Sequence, residues 1–284
     1  MAILFQDGFE APTGLGQWTV RTYGNGLSPT LNTNPSYVKA GLQSIRFFSD
    51  MQGATPFLES ISALQRTGVN ARDLYVRGWF YLAQGLSGLG SYDRMGIIYI
   101  LNSAGRTICN ISARREALAP VRWALWCATD NVGSGTHHFG VSASVDTTPR
   151  WVCIEVHFNA DLGLFEVWVT DNNVTTKEVT WTNTPPTGGF NAADRVQIGA
   201  DRPASSGAGP PTGQYVAEVY GDEVAYGDAY IGPGNLPPST LSINTSPELN
   251  VPVYIDGSFI GNTPIAVSIQ GGTHTVRVES EVTR

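Results

Sequence analysis

The chain has 284 residues, enough for one large β-domain or two ordinary ones, with a hydrophobic core that needs no covalent staples. Only 14% of residues are charged while glycine (32) and proline (17) are abundant, which excludes a protein of long amphipathic helices and fits short strands joined by tight turns. A net charge of −7 without a visible Lys/Arg cluster excludes a sequence-independent nucleic-acid binder, and no apolar run reaches the roughly 18 residues of a membrane span.

At the start, Met1-Ala2-Ile3-Leu4-Phe5 lacks the basic opening and apolar stretch of an export signal. Either a signal has been removed and a start Met supplied, or the protein leaves its cell by another route, as virus structural proteins do on lysis. Residues 57–64 read as a helix too short to change the fold class. Strand-period segments then recur at 74–82, 94–101, 106–113, 122–128, 150–158, 163–171, 195–200 and 214–226. Turn signals such as Asn102-Ser103-Ala104-Gly105 and Asp171-Asn172-Asn173 separate them. This spacing predicts an all-β, antiparallel sandwich or barrel.

Two of these segments carry candidate binding residues. Over 74–82, period-two alternation places Leu74, Val76, Phe80 and Leu82 on one face, and Tyr75, Arg77, Trp79 and Tyr81 on the other. The second set suits a sugar, because pyranose faces stack on aromatic rings while Arg and Tyr bond the hydroxyls. Aromatic cross-strand pairs that merely stabilise the sheet are the competing reading. Over 150–158, Val152, Ile154, Val156 and Phe158 face the core, and Trp151, Cys153, Glu155 and His157 face away. If the two strands share a sheet, a carboxylate, an imidazole and a guanidinium meet on one surface fit for an anionic sugar; otherwise Glu155 and His157 are a structural hydrogen-bonded pair.

Other features offer less. Cys109, Cys127 and Cys153 form no C-x-x-C motif; a Cys109–Cys127 bridge and buried free thiols both stay open. The neighbouring His137 and His138 would point to opposite faces of a strand and make a poor metal site. The 203–211 stretch reads as a surface excursion, and the sequons at Asn110, Asn173 and Asn244 are informative only in a glycosylating host.

From Gly232 to Ser239 the chain turns Pro/Gly-rich, which resists helix and sheet alike and marks a boundary. The predicted organisation is a domain over 1–233, a linker over 234–239 and a second β-domain over 240–284. The second alternates cleanly in Leu241-Ser242-Ile243, Val253-Tyr254-Ile255 and His274-Thr275-Val276-Arg277-Val278. So small a core is marginal alone and expects a neighbour or partner.

Ser246-Pro247, Val253-Tyr254-Ile255-Asp256-Gly257, Gly261, Thr263-Pro264 and Gly272-Thr273-His274-Thr275-Val276 resemble the PEGA domain, a small β-fold of prokaryotic surface and envelope proteins. The usual Gly-Tyr near the end of its last strand is missing here. Leu4-Phe5-Gln6-Asp7-Gly8-Phe9-Glu10, Gly16-Gln17-Trp18-Thr19, the strands at 41–47 and 151–157, and the closing Asp222-Glu223-Val224-Ala225 are similar, in order, to the concanavalin-like lectin/glucanase superfamily. That resemblance implies a jelly-roll sandwich and a structural calcium between the first and last strands, held by Asp7, Glu10 and Asp222. Asp7 bonding only local amides is the alternative. Hydrolases of this fold carry a Glu-x-Asp-x-Glu strand; Glu218, Asp222 and Glu223 have the wrong spacing, which disfavours glycosidase chemistry.

The leading expectation is a non-catalytic recognition protein outside the cell, gripping a glycan or cell-surface polymer through Tyr75, Arg77, Trp79, Tyr81, Trp151, Glu155 and His157, with the PEGA-like unit as spacer or docking piece. A virion or filament surface protein, contacting its own copies or a scaffold, is the structural alternative. A polysaccharide lyase using His157, Tyr81 and Arg77 is the enzymatic one.

Overall fold

The computed structural model describes residues 3–10, 15–24, 26–50, 60–84, 94–115, 120–128, 135–144, 148–183, 190–202, 216–233, 239–243, 245, 250–255, 257–269 and 275–279. The chain divides into two units, Met1–Pro233 and Gly234–Arg284. Residues 234–238 of the expected linker lie outside the described residues, as do those of the 203–211 stretch.

In the larger unit the strands are β1 (Ile3–Asp7), β2 (Thr19–Tyr23), β3 (Thr30–Asn32), β4 (Ser44–Asp50), β5 (Ser60–Ala71), β6 (Asp73–Gln84), β7 (Arg94–Leu101), β8 (Thr107–Arg114), β9 (Arg122–Ala128), β10 (Gly135–Ser144), β11 (Trp151–Asn159), β12 (Leu164–Asp171), β13 (Val174–Thr182), β14 (Ala193–Arg202) and β15 (Val216–Gly227). They build two antiparallel sheets packed as a sandwich. The eight-stranded sheet runs β13-β12-β11-β6-β15-β4-β3, with β1 also on β15; the seven-stranded sheet runs β10-β9-β8-β7-β14-β5-β2. The expected helix at 57–64 is instead strand from Ser60 onward, where β5 pairs with both β14 and β2; residues 57–59 are not described. A short apolar run cannot distinguish the two structures by itself, and pairing on both sides decided it.

Period two explains the core. Leu74, Val76, Phe80 and Leu82 of β6 and Val152, Ile154, Val156 and Phe158 of β11 pack with Ile98 and Ile100 of β7, Ile111 of β8, Leu125 of β9 and Val196 of β14. Each such fully buried side chain contributes about 1.5–3 kcal/mol by leaving water. Turn chemistry sets the register. Asn172 and Asn173 both have positive φ (48° and 63°), the backbone of a two-residue hairpin, and Asp171 stands opposite Val174 across it. Cys109, Cys127 and Cys153 are buried free thiols, so the expected alternative of a bridge is not formed although Cys109 lies opposite Cys127. Burial pushes all three thiols up.

In the smaller unit, β16 (Ser239–Ile243) is followed by β17 (Pro252–Ile255), β18 (Ser258–Asn262), β19 (Ile265–Ile269) and β20 (Val276–Val278). β16 pairs with β19, and β17 lies between β18 and β20. Val251, Val253 and Ile255 are buried, whereas Phe259, Val276 and Val278 stay exposed, a thin core for a free-standing domain. Ser246-Pro247, Asp256 and 272–274 lie outside the described residues. No helix among the described residues is long and apolar enough to cross a membrane.

Candidate functional site

β6 and β11 are direct neighbours. Their register sets Trp151 opposite Tyr81, Cys153 opposite Trp79, Glu155 opposite Arg77 and His157 opposite Tyr75, so the residues predicted to share a surface do share one face of the eight-stranded sheet. Its centre is closed, however. The Glu155 carboxylate accepts from the backbone N–H of Ile231 (2.6 Å) and of Gly232 (2.8 Å). Arg77 donates to the carbonyls of Glu223 (2.9 Å) and Gly232 (3.4 Å), and Trp79 Nε1 donates to that of Pro233 (3.3 Å). Lys39 Nζ sits 4.0 Å from the centre of the Trp79 ring. Arg77, Trp79 and Glu155 are therefore buried, and the expected sugar platform at these three positions is corrected: they anchor the returning segment 231–233. Burial raises the Glu155 carboxyl, opposed by the two amide bonds and Arg77.

His157 is also engaged. Its Nδ1 lies 2.9 Å from Glu166 Oε2 and its Nε2 2.7 Å from Asp73 Oδ1, and Tyr75 stacks on the ring at 4.0 Å. Burial raises the Glu166 carboxyl, but its bonds from His157 and Lys177 outweigh that and bring it below the ordinary value. The expected Glu155–His157 pair is absent, because each has its own partners. With both ring nitrogens occupied by carboxylates, His157 is no free base. Tyr81 packs instead against Tyr37 (5.2 Å) and Trp151 (5.7 Å), so His157, Tyr81 and Arg77 do not converge as a lyase site. Tyr81 and Trp151 remain half-buried at one end of the face, where Tyr37 also stacks on Tyr220.

The carboxylates implied for calcium are spent on the backbone. Asp7 accepts from Phe9 N and Trp18 Nε1, both at 2.7 Å. Glu10 Oε1 accepts from Leu42 N and Gln43 N. Asp222 accepts from Lys39 N, Ala40 N and Glu223 N. Among the described residues no group of three or more His, Cys, Asp or Glu is placed to hold a metal ion, so Asp7, Glu10 and Asp222 do not fit the calcium expectation. Their role is to tie β1 and the 39–43 turn to each other and to β15. Burial raises the Asp222 carboxyl to about 8, against three amide bonds that favour the anion.

The opposite face of the molecule is built differently. On the seven-stranded sheet, register aligns Thr19, Gln65, Gln197, Tyr99, Asn110 and Trp126, one from each of six adjacent strands, in a single row across the side turned away from the core. Beside it lies a row of small residues: Ala63 opposite Gly199, and Gly96, Ser112 and Ala124 across β7, β8 and β9. The space that a side chain at Gly96 would take is filled by the Tyr99 ring, and that at Gly199 by Ala63 and the Ser62 carbonyl. Gln65 donates to Gln197 (3.2 Å) and Gln197 to Asp201 (3.2 Å), a chain of buried polar groups. Two buried oxygens beside this chain, Asn110 Oδ1 and Ser112 Oγ, have no hydrogen-bond partner. An unmet buried polar atom costs about 1–3 kcal/mol, so such a pair is a contact point for a buried water or for a ligand. Sequence reasoning missed this row. Its signal was the alternation Cys109-Asn110-Ile111-Ser112-Ala113-Arg114, which puts polar side chains on the non-core face of one strand.

Comparison with known proteins agrees with both units. A PEGA domain model matches residues 238–282, so the C-terminal unit is a PEGA domain. The fold of the larger unit is shared with an endo-beta-1,4-glucuronan lyase from the fungus Trichoderma reesei: TM-score 0.55, 15% identity, covering 80% of this chain and 96% of that one. It is shared equally with Cip1, a cellulose induced protein: TM-score 0.55, 17% identity, 81% of this chain and 100% of that one. The sandwich is thus concanavalin-like. No curated protein matches the sequence.

Proposed function

We propose that the larger unit recognises a carbohydrate polymer laid across the non-core face of the seven-stranded sheet, as a binding module displayed outside the cell, with the PEGA domain as spacer or docking piece. One observation carries this reading: the in-register row Gln65, Gln197, Tyr99, Asn110 and Trp126, in which Asn110 Oδ1 lacks a partner, with Ser112 Oγ likewise unmet in the row beside it. Amide and hydroxyl groups bond sugar hydroxyls in both directions, and an indole stacks on a pyranose face. Four strand spacings of about 4.8 Å give a row about 19 Å long, the reach of a short extended oligosaccharide. Fold kinship with a glucuronan lyase and a cellulose induced protein supports a carbohydrate ligand. A glycan array probed with wild type and Trp126→Ala tests it. Binding that the variant loses is expected; binding that Trp126→Ala retains in full while Trp79→Ala abolishes it would return the site to the eight-stranded sheet.

A lyase reading has one specific point in its favour: Tyr99 stands between Gln197 and Asn110 in the row. Amides can hold a uronate carboxyl in its enolate-like form while a hydroxyl carries the proton to the departing sugar oxygen. Incubation with a panel of uronate polymers, monitored for absorbance of new double bonds, decides it; a silent panel removes catalysis and leaves recognition standing.

A further inference from the structure

Residues 231–233 fill the centre of the outer face of the eight-stranded sheet, but one end of that face is built differently. Register lines up Trp151, Tyr81, Tyr220, Arg46 and Thr30 in one row, one from each of the adjacent strands β11, β6, β15, β4 and β3. Tyr37 stacks flat on the buried Tyr220 (4.3 Å between centroids, 8° between planes) and meets Tyr81 edge-on, so it forms a wall beside a half-buried floor of Tyr81 and Trp151. Asn34 caps the short turn that ends at Tyr37, and Asn32 and Ser44 both donate to the Tyr37 carbonyl, which fixes the wall in advance of any ligand. Polar valence is left over here. Glu218 Oε1 accepts from Arg46 Nε (2.6 Å) and from the Tyr220 hydroxyl (2.9 Å), while Glu218 Oε2 and the two terminal nitrogens of Arg46 have no partner among the described residues. The hydroxyls of Tyr37 and Tyr81 and the indole N–H of Trp151 are unspent among those residues too, whereas Trp18 and Trp79 donate theirs to Asp7 and Pro233.

Independently of the site on the seven-stranded sheet, we infer that this end of the eight-stranded sheet is a second, weaker saccharide site, which takes a single neutral hexopyranose ring. The Arg46 and Glu218 charges neutralise each other, which suits an uncharged ligand. A pyranose supplies both things the site lacks: a C–H face for the Tyr81 and Trp151 rings, and adjacent hydroxyls that donate to Glu218 Oε2 while accepting from Arg46. Burial and the neighbouring Glu218 push the Tyr220 hydroxyl up to about 12, so it stays a donor and holds Glu218 in place. A proline-rich peptide also stacks on aromatic rings, but its prolines have no N–H to give Glu218. Contacts to one ring set the dissociation constant at about 1 mM, a grip too loose to survive the washing of a glycan array.

NMR titration of the full chain with the methyl β-glycosides of glucose, galactose and mannose, and with a hexaproline peptide, tests this through the tryptophan indole N–H signals. At least one pyranoside is expected to shift the Trp151 signal to saturation, with a dissociation constant on the order of 1 mM. Loss of that signal in Trp151→Phe identifies it, and it separates this site from the seven-stranded sheet, which the Trp126 signal reports. Glu218→Gln is expected to weaken pyranoside binding about tenfold and Tyr81→Phe about threefold, while the dispersion of the other indole signals verifies that each variant is folded. Trp151 shifts that stay linear with every pyranoside up to about 50 mM overturn the inference and leave the reading of the seven-stranded sheet untouched. Full-strength binding in Glu218→Gln overturns it as well. So does hexaproline bound more tightly than any pyranoside, since the patch then takes a peptide.

Discussion

The two outward faces of the sandwich are both rich in buried polar side chains, but most of the charged ones lie on the eight-stranded sheet and most of the amides on the seven-stranded one. On the eight-stranded sheet Glu155, His157, Glu166 and Asp222 find partners within the protein, while Arg77 Nε, Gln6 Oε1 and Glu223 Oε2 stay unmet. On the seven-stranded sheet Asn110 and Ser112 expose buried oxygens to nothing. A polar group that the protein satisfies itself is architecture, whereas a buried one left unmet is a contact point for water or another molecule. Aromatic content alone does not separate the cases, since Trp79 and Trp126 both sit mid-strand on non-core faces.

The largest effect expected from this contrast is at Glu155. Glu155→Ala removes the acceptor for Ile231 and Gly232 and strips the neighbouring Arg77 of a buried counter-charge, so urea denaturation should show a loss of about 3–5 kcal/mol. Near-wild-type stability would mean that residues 231–233 do not depend on this anchor. Next comes Trp126→Ala, for which about a tenfold loss of glycan affinity is expected in titration, with a smaller change in unfolding midpoint than Trp79→Ala produces. The reverse ranking of the two tryptophans would exchange the roles of the faces.

A finer probe is Ser112→Ala. Deleting a buried hydroxyl that has no partner should leave the unliganded protein as stable or up to about 1 kcal/mol more stable, while weakening the bound complex. A clear loss of thermal stability would show that the hydroxyl is already satisfied. The last probe concerns pH. Because burial lifts the Asp222 carboxyl from the ordinary carboxylate range to about 8, the folded protein binds more protons than the unfolded chain between about pH 4 and 8. Stability contributed by this group is therefore present below that window and declines as pH rises through it. Thermal melts from pH 5 to 9 should show the decline, and Asp222→Asn should flatten it.

Much of this was legible locally. The core halves of β6 and β11, Leu74 with Val76 and Val152 with Ile154, follow from period-two alternation, and Asp171-Asn172-Asn173 announces the tight hairpin between β12 and β13 because asparagine tolerates the positive φ that such a turn demands. The outward residues Arg77, Glu155 and His157 were placed on the correct side and then given the wrong occupation. Their partners, Gly232, Ile231 and Asp73, lie 155, 76 and 84 positions away.

The sequence by itself determined an all-β chain, its alternating faces, its turns and a PEGA domain at the C-terminus, since each depends on neighbouring residues and backbone preference. Only the tertiary structure decided which buried polar groups find partners and which do not. Gln65, Tyr99, Asn110, Trp126 and Gln197 come from five strands scattered along the chain, and only inter-strand hydrogen bonding brings them into one row. Whether a polar atom is satisfied depends on where distant backbone comes to rest, and that is a property of packing rather than of local pattern.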